Sequence, residues 1–224
     1  MSFKRSYEDG CAAAHALDLV GERWALLIVR ELVFGAKRFT DLRAGLPGIS
    51  PNVLTLRLEE LEHAAVLRRR RLLPPAATSV YELTEWGHEL APILLALGRW
   101  GARSPLLTAG QPVSTASLMM SLQAMFDAEA AGDVSGTLGL CMGDERFHAR
   151  LSRGRLTLAR GEAAAPDAVI TGSAQALAGV VYEGRKLAEV LKSGELAVEG
   201  DKALVRRFVT LFTLPEPAPS AAPA

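Results

Sequence analysis

The chain is 224 residues long, with 25 Lys and Arg against 25 Asp and Glu, 49% hydrophobic residues and 22% charged ones. That composition excludes a disordered polyelectrolyte and is enough for one large core or two small ones. A net charge of zero means that attraction to any polyanion has to be local.

Residues 1–10 are polar and are not expected to form a signal peptide, and Lys4 and Arg5 place positive charge just ahead of Cys11. Residues 11–20 read as a short helix carrying Ala14, Leu17 and Leu19, and residues 23–33 as a denser one, with Trp24, Leu27, Ile28 and Leu32 at helical spacing. This apolar run is broken by Arg30 and Glu31, and none in the chain approaches the roughly 20 residues that cross a bilayer, so no membrane insertion is expected. Residues 39–44 form a third short helix, followed by a turn over 45–49 with Pro47 and Gly48. Ser50 is placed to cap the next helix, and Pro51 takes its first position, where a missing N–H costs nothing; the helix is expected to reach about residue 64. A strand over 66–72, a loop tip over 74–79 and a return strand over 80–83 make a hairpin, after which Thr84 caps one long helix over 85–103.

Laid out at about 100° per residue, the fourth helix puts Leu54, Leu58, Leu61 and Ala65 on one side, with Val53 and Arg57 at its flank. Asn52, Thr55, Leu56, Glu59 and His63 fall on the other side. The apolar side packs inward, so the second set projects outward, where the helix can lie in a major groove. Asn52 can read adenine, Thr55 can donate or accept, Leu56 can touch a thymine methyl, and Arg57 suits a phosphate. Taken alone this is equally an ordinary amphipathic helix. The hairpin adds Arg68, Arg69, Arg70 and Arg71, consecutive on a strand, two to each face; phosphates would offset that repulsion, and a solvated edge strand kept soluble by charge is the plainer alternative. Lys37, Arg38 and Arg43 add positive charge around the third helix.

The stretch from Cys11 to Trp24 (CAAAHALDLVGERW) resembles the opening of the HxlR family of winged helix-turn-helix regulators. RELVFG from Arg30, RFTDL from Arg38, LPGISP from Leu46 and YELTEWG from Tyr81 continue the resemblance in order, to about Gly101. The family is similar in fold and role to MarR-type regulators. The resemblance implies a homodimer joined by its terminal helices, with Ser50, Asn52, Thr55, Leu56 and Arg57 at a major groove of double-stranded DNA and Arg38 and Arg68, Arg69, Arg70 and Arg71 beside it. Leu56, where relatives often carry a polar residue, and the unusually basic hairpin are departures that bear on the operator sequence. Leu90, Ile93, Leu94, Leu97 and Trp100 form a stripe that exceeds what one core needs and supplies a dimer interface, unless the second half of the chain covers it. Cys11 stands where some relatives sense oxidants or electrophiles. Its place at a helix start near Lys4 and Arg5 favours the thiolate, while its alanine-rich surroundings suit an inert packed thiol. With Cys141 it makes no disulfide framework, which fits a reducing cytoplasm.

Residues 105–116 read as a linker, dividing a first domain over 1–104 from a second over 117–214, with a disordered tail over 215–224. In the second domain a helix over 117–131 precedes antiparallel strands at 137–141, 145–151, 155–160 and 168–171, helices at 174–183 and 186–192, a strand at 196–199 and a helix from Asp201 to about Phe212. DAVITGS from Asp167 and SGELAVEGD from Ser193 resemble a sterol-carrier-protein-like domain, so the fold class is a mainly α winged helix-turn-helix followed by an α+β sterol-carrier-like domain. The likeness implies an apolar tunnel for a hydrophobic small-molecule effector, with Met119, Leu122, Met125, Phe126, Leu140, Phe147, Leu177, Val180, Val181 and Phe208 as its wall, or else as plain core. His15, His63, His88 and His148 are scattered, no Cys/His spacing suits zinc, and no glycine loop suits a phosphate, so neither catalysis, cofactor nor metal is expected. The expected function is a DNA-binding transcriptional regulator, a repressor, answering to a hydrophobic or thiol-reactive compound; the alternative is a lipid-binding protein that uses its winged helix to dimerise.

Overall fold

The computed structural model describes residues 6–73, 77–108 and 110–219, which form two compact units, Met1–Leu94 and Leu95–Ala224. The division falls inside a helix, ahead of the linker expected at 105–116. Lys4 and Arg5, part of the loop tip and residues 220–224 of the tail lie outside the described residues.

The first unit runs α1 (Ala12–Val20), α2 (Ala25–Leu32), α3 (Phe39–Gly45), α4 (Pro51–His63), β1 (Leu67–Arg71), β2 (Ser79–Leu83), α5 (Glu85–His88) and the first turn of α6 (Leu90–Ala102), up to Leu94. Trp24, in the left-handed region at φ 81°, starts α2 two residues later than the apolar spacing suggests. Gly48 at φ 89° turns the chain between α3 and α4, a conformation that glycine takes without a Cβ clash. The Ser50 hydroxyl then accepts from the Val53 N–H at 3.3 Å, and Pro51 opens α4 as expected. Leu54, Leu58 and Leu61 are at most 1% exposed and join Ile28, Val29, Leu32, Leu42 and Leu46 in one core. Each such leucine contributes about 1.5–3 kcal/mol of burial. Ala65, expected on the same stripe, is instead exposed at φ 56°, because α4 has already ended and the chain is turning into β1.

The long helix expected after the hairpin is two helices. Thr84 caps α5, its hydroxyl accepting from the Gly87 N–H at 2.9 Å, but the helix stops at His88. Pro92 explains the break: it has no N–H to give the His88 carbonyl, and its ring would collide with that oxygen. The same proline is tolerated in the first turn of α6.

The second unit contains α7 (Thr115–Met125), α8 (Ala128–Ala131), β3 (Gly136–Met142), β4 (Glu145–Ser152), β5 (Arg155–Arg160), β6 (Ala168–Gly172), α9 (Ala174–Tyr182), α10 (Leu187–Ser193), β7 (Leu196–Gly200) and α11 (Lys202–Phe208). Its sheet has the order β5-β4-β3-β6-β7 and is mixed, since β6 lies parallel to β3 rather than antiparallel as the chain order suggests. Leu138, Leu140, Phe147, Ala149, Leu151, Ala168 and Ile170, alternate residues of β3, β4 and β6, are buried. The helix expected over 117–131 splits because Phe126 is extended (ψ 128°) and bridges Phe212, whose ring packs 5.0 Å from that of Phe208. That strand-like bridge is also why α11 ends at Phe208, short of Phe212. The end of the expected linker is structured: Ser114 caps α7 and Ala116 is fully buried. Residues 216 and 218 of the expected disordered tail are hydrogen-bonded to Arg103, through the Glu216 carbonyl at 3.1 Å and the Ala218 N–H at 2.7 Å.

Candidate nucleic-acid interface

The outward face of α4 is built by its inward one. With Leu54, Leu58 and Leu61 held in the core, Asn52, Thr55, Leu56, Glu59 and His63 are exposed, Leu56 by 47%. Ser50 is exposed too, with one lone pair committed to its cap. Arg57 does not join this surface. Its guanidinium binds Glu22 at 2.9 Å and also Glu60, and its side chain is only 15% exposed. The assignment of Arg57 to a phosphate is therefore corrected: the two carboxylates occupy it as a brace between α4 and the turn before α2. Its Nε is buried without a hydrogen-bond partner.

The hairpin β1–β2 pairs Leu67 with Leu83, Arg68 with Glu82, Arg69 with Tyr81, Arg70 with Val80 and Arg71 with Ser79. The arginines separate two to a face, as strand alternation requires. On one face Glu82 takes both guanidiniums, Arg68 at 2.8 Å and Arg70 at 3.0 Å. Hydrogen bonds from Arg70 first, and from Arg68, hold the Glu82 carboxyl below the usual carboxylate range. On the other face Arg69 lies over the Tyr81 ring at 6.0 Å and donates to the Ser79 hydroxyl at 3.3 Å, and Arg71 is exposed. The single Glu82 carboxylate thus offsets half the charge of one face of the hairpin, while on the other face Glu62 Oε1 accepts from the Arg69 backbone N–H at 3.0 Å and the two guanidiniums form no ion pair among the described residues. Arg38 is exposed at the start of α3, with its backbone N–H donating to Asp41 at 3.2 Å.

Lys37, expected as surface charge, is buried. Its Nζ donates to Glu31 Oε2 at 2.9 Å, while Arg30 donates to Glu31 Oε1 at 2.9 Å, and Glu31 has no exposed surface. A Cβ at Gly45 would collide with Glu31 Oε2, so a larger residue there requires this carboxylate to shift. Lys37 also exchanges two backbone hydrogen bonds with Tyr81, at 3.0 and 2.8 Å, which anchors β2 to the helical core. The arrangement sets the position of the hairpin relative to α4. Glu31 was findable: it lies three residues after Ile28 on the buried stripe of α2, where a carboxylate needs a partner.

Cys11 is exposed rather than packed, contrary to one of the two readings of its alanine-rich surroundings. The N–H groups of Ala14 and, less, Ala13 at the start of α1 lower its thiol pKa. Of the stripe on α6, Leu90 and Leu94 pack partly on the core, whereas Ile93, Leu97 and Trp100 are 56%, 45% and 75% exposed.

The wall expected for an apolar tunnel is core. Met119, Leu122, Leu140, Leu177 and Phe208 have no exposed surface, Phe147 has 1% and Met125 has 5%. A side chain lining a space that admits even water shows surface to it, so these residues enclose none. Phe126, Val180 and Val181 are half-buried. Among the described residues no cluster of His, Cys, Asp and Glu has a metal-holding arrangement, and no helix is long and apolar enough to cross a membrane.

Residues 19–105 match the family model of the HxlR-like helix-turn-helix, and residues 111–218 that of the alkyl sulfatase C-terminal region. The chain is 36% identical over 97 residues to YdeP of Bacillus subtilis, an uncharacterized HTH-type transcriptional regulator, covering 42% of this chain and 74% of that one. It is 37% identical over 94 residues to a Synechocystis HTH-type transcriptional regulator, sll1512, covering 41% and 68%. Among solved structures, the reduced form of the transcriptional regulator YodB from B. subtilis is 32% identical, with a TM-score of 0.39 over 43% of this chain and 95% of that one.

Proposed function

The chain belongs to the HxlR-like helix-turn-helix family, whose relatives are named transcriptional regulators and not enzymes, and on that premise we propose that it is a cytoplasmic repressor that binds operator DNA as a homodimer. The observation that carries this reading is α4: three leucines fix it in the core, and Asn52, Thr55 and Leu56 stand outward beside a hairpin whose Arg69 and Arg71 guanidiniums form no ion pair among the described residues. In this reading α4 enters the major groove, Asn52 and Thr55 reach base edges, and Ser50, Arg38, Arg69 and Arg71 meet the backbone. Arg68 and Arg70 contribute less, because Glu82 already holds them. Ile93, Leu97 and Trp100, exposed along α6, supply the dimer interface.

The second unit is proposed as a fused sensing module of sterol-carrier-like α+β type, corresponding to the second domain expected over 117–214. Of the two effector classes, the exposed Cys11 with its lowered pKa favours the thiol-reactive one over a hydrophobic ligand among side chains that enclose no space. The test is fluorescence anisotropy with DNA from the gene's own upstream region, across a salt series and with unrelated DNA as competitor. Binding that resists competitor and weakens steeply with salt is expected. Binding no better than to competitor across a panel of upstream regions overturns the reading.

A further inference from the structure

Arginine is used in two ways in the second unit. Arg160 pairs with Glu145 at 2.8 Å, Arg185 with Glu195 at 2.6 Å, and Arg146 donates to the Gly143 carbonyl at 2.6 Å. The guanidiniums of Arg150, Arg153 and Arg155 have no hydrogen-bond or ion-pair partner among the described residues. These three lie together at one hairpin. Strand pairing sets Arg150 opposite Thr157 and Ser152 opposite Arg155, and all four side chains share the face of the sheet away from the buried Ala149, Leu151 and Leu158. Guanidiniums occupy one diagonal and hydroxyls the other, which avoids setting like charges directly opposite each other.

Arg153 makes the turn. It stands at φ 51° and Gly154 follows at φ 67°, so both central residues of this two-residue connection are left-handed. The first of these places is ordinarily filled by Asn, Asp or Gly, and a long side chain there is held against its backbone preference. The five residues Arg150, Ser152, Arg153, Arg155 and Thr157 line a concavity of about 690 Å³ without any carboxylate on its wall. A neighbouring concavity of about 400 Å³ shares Arg150 and Thr157 and continues to His148 and to Glu162, Ala163, Ala164 and Ala165. His148 Nδ1 lies 3.2 Å from the Gly161 carbonyl, which only accepts, so the imidazole donates there and ties this crossing segment to β4.

We propose that this face binds a small molecule ending in a tetrahedral oxyanion, a phosphate or sulfate monoester. The guanidinium forks of Arg150, Arg153 and Arg155 hold its oxygens, with the Ser152 hydroxyl as a further donor, while the Thr157 hydroxyl donates to the Arg150 carbonyl at 3.5 Å. The size of the concavity suits a small ligand. Glu162 at the far end repels negative charge, so the oxyanion sits at the hairpin and the organic part lies toward Ala163, Ala164 and Ala165. The site is distinct from the DNA-binding surface in residues and in unit, and it does not require the regulator reading to be right.

The test is isothermal titration of the full chain with phenyl phosphate, phenyl sulfate and inorganic phosphate. One saturable site per chain is expected, with an ester tighter than inorganic phosphate; the two ester arms identify which oxyanion the site prefers. Arg150→Gln with Arg155→Gln should weaken binding at least about tenfold, and Ser152→Ala, which leaves the charge intact, a few-fold. Arg206→Gln, an exposed arginine outside the concavity, should leave it unchanged. Absence of saturable binding by all three probes overturns the proposal, as does equal binding by the double variant with its melting transition intact. Loss of DNA affinity in the double variant without any small-anion binding likewise overturns it, making the face a nucleic-acid contact instead.

Discussion

Two arginine-bearing hairpins, one in each unit, use the same residue type to different ends. In β1–β2 the position across from Arg68 is Glu82, which reaches both Arg68 and Arg70. In β4–β5 the positions across from Arg150 and Arg155 are Thr157 and Ser152, which can share hydrogen bonds but cannot cancel charge. The first hairpin therefore presents one face whose charge is half offset and one whose guanidiniums form no ion pair among the described residues. The second gathers its uncompensated guanidiniums around a concavity. A count of arginines would rank the first hairpin as the stronger anion binder; the cross-strand partner decides how much of that charge is available.

The largest test of this contrast removes the support of the first hairpin. Glu31→Gln leaves the buried Lys37 ammonium without its carboxylate and should cost about 3–5 kcal/mol, read as earlier denaturant unfolding of the first unit. Hydrogen exchange should accelerate in β2, which Lys37 anchors, and stay unchanged in β4 and β5; a uniform change in both hairpins would break the separation of the units. Next, Asn52→Ala should lose about 1–3 kcal/mol of discrimination at one base position, in a competition series over single-base operator variants. Equal loss on every sequence would move Asn52 from base reading to backbone binding.

The charged faces give smaller, opposite effects. Arg69→Ala with Arg71→Ala should weaken binding to all sequences and reduce the salt slope by about 0.9 for each phosphate no longer neutralised. Glu82→Gln should do the reverse, freeing Arg68 and Arg70 and tightening non-specific binding several-fold. Because the Glu82 carboxyl lies below its ordinary range, its ion pairs stabilise the hairpin at all pH above the usual glutamate value. That stability is lost only as pH falls through the lowered pKa, so the pH dependence of DNA affinity should show no contribution from this group near neutrality. Smallest is the chemistry of Cys11: its alkylation rate should inflect at a lower pH than that of an unperturbed thiol, and Cys11→Ser should remove any response of DNA binding to diamide. A Cys11→Ser protein that answers diamide like its parent would sink the sensing role.

Much of the first unit was legible because its signals are local. Ser50 before Pro51 marks a helix start by hydrogen bonding within four residues, and the spacing of Leu54, Leu58 and Leu61 sets its buried side. Pro92 broke the following helix by an equally local rule that the apolar stripe around it concealed. Arg57 and Lys37 could not be read the same way. Each looks like a surface cation in sequence, and each is taken up by a glutamate that folding brings to it, Glu22 from 35 residues away and Glu31 from six. In the second unit the strands were visible by alternation, but β6 joined β3 in parallel, a pairing that depends on which edge of the sheet was open rather than on anything in residues 168–172.

Sequence alone determined where most of the helices and strands lie, which side of α4 is buried and that the first half is a helix-turn-helix, because propensity, capping and periodicity act over a few residues. Only the tertiary structure decided which charges are spent inside the protein and which remain for a partner. A guanidinium is available or not according to the carboxylate within about 3 Å of it, and that neighbour comes from another element of the fold.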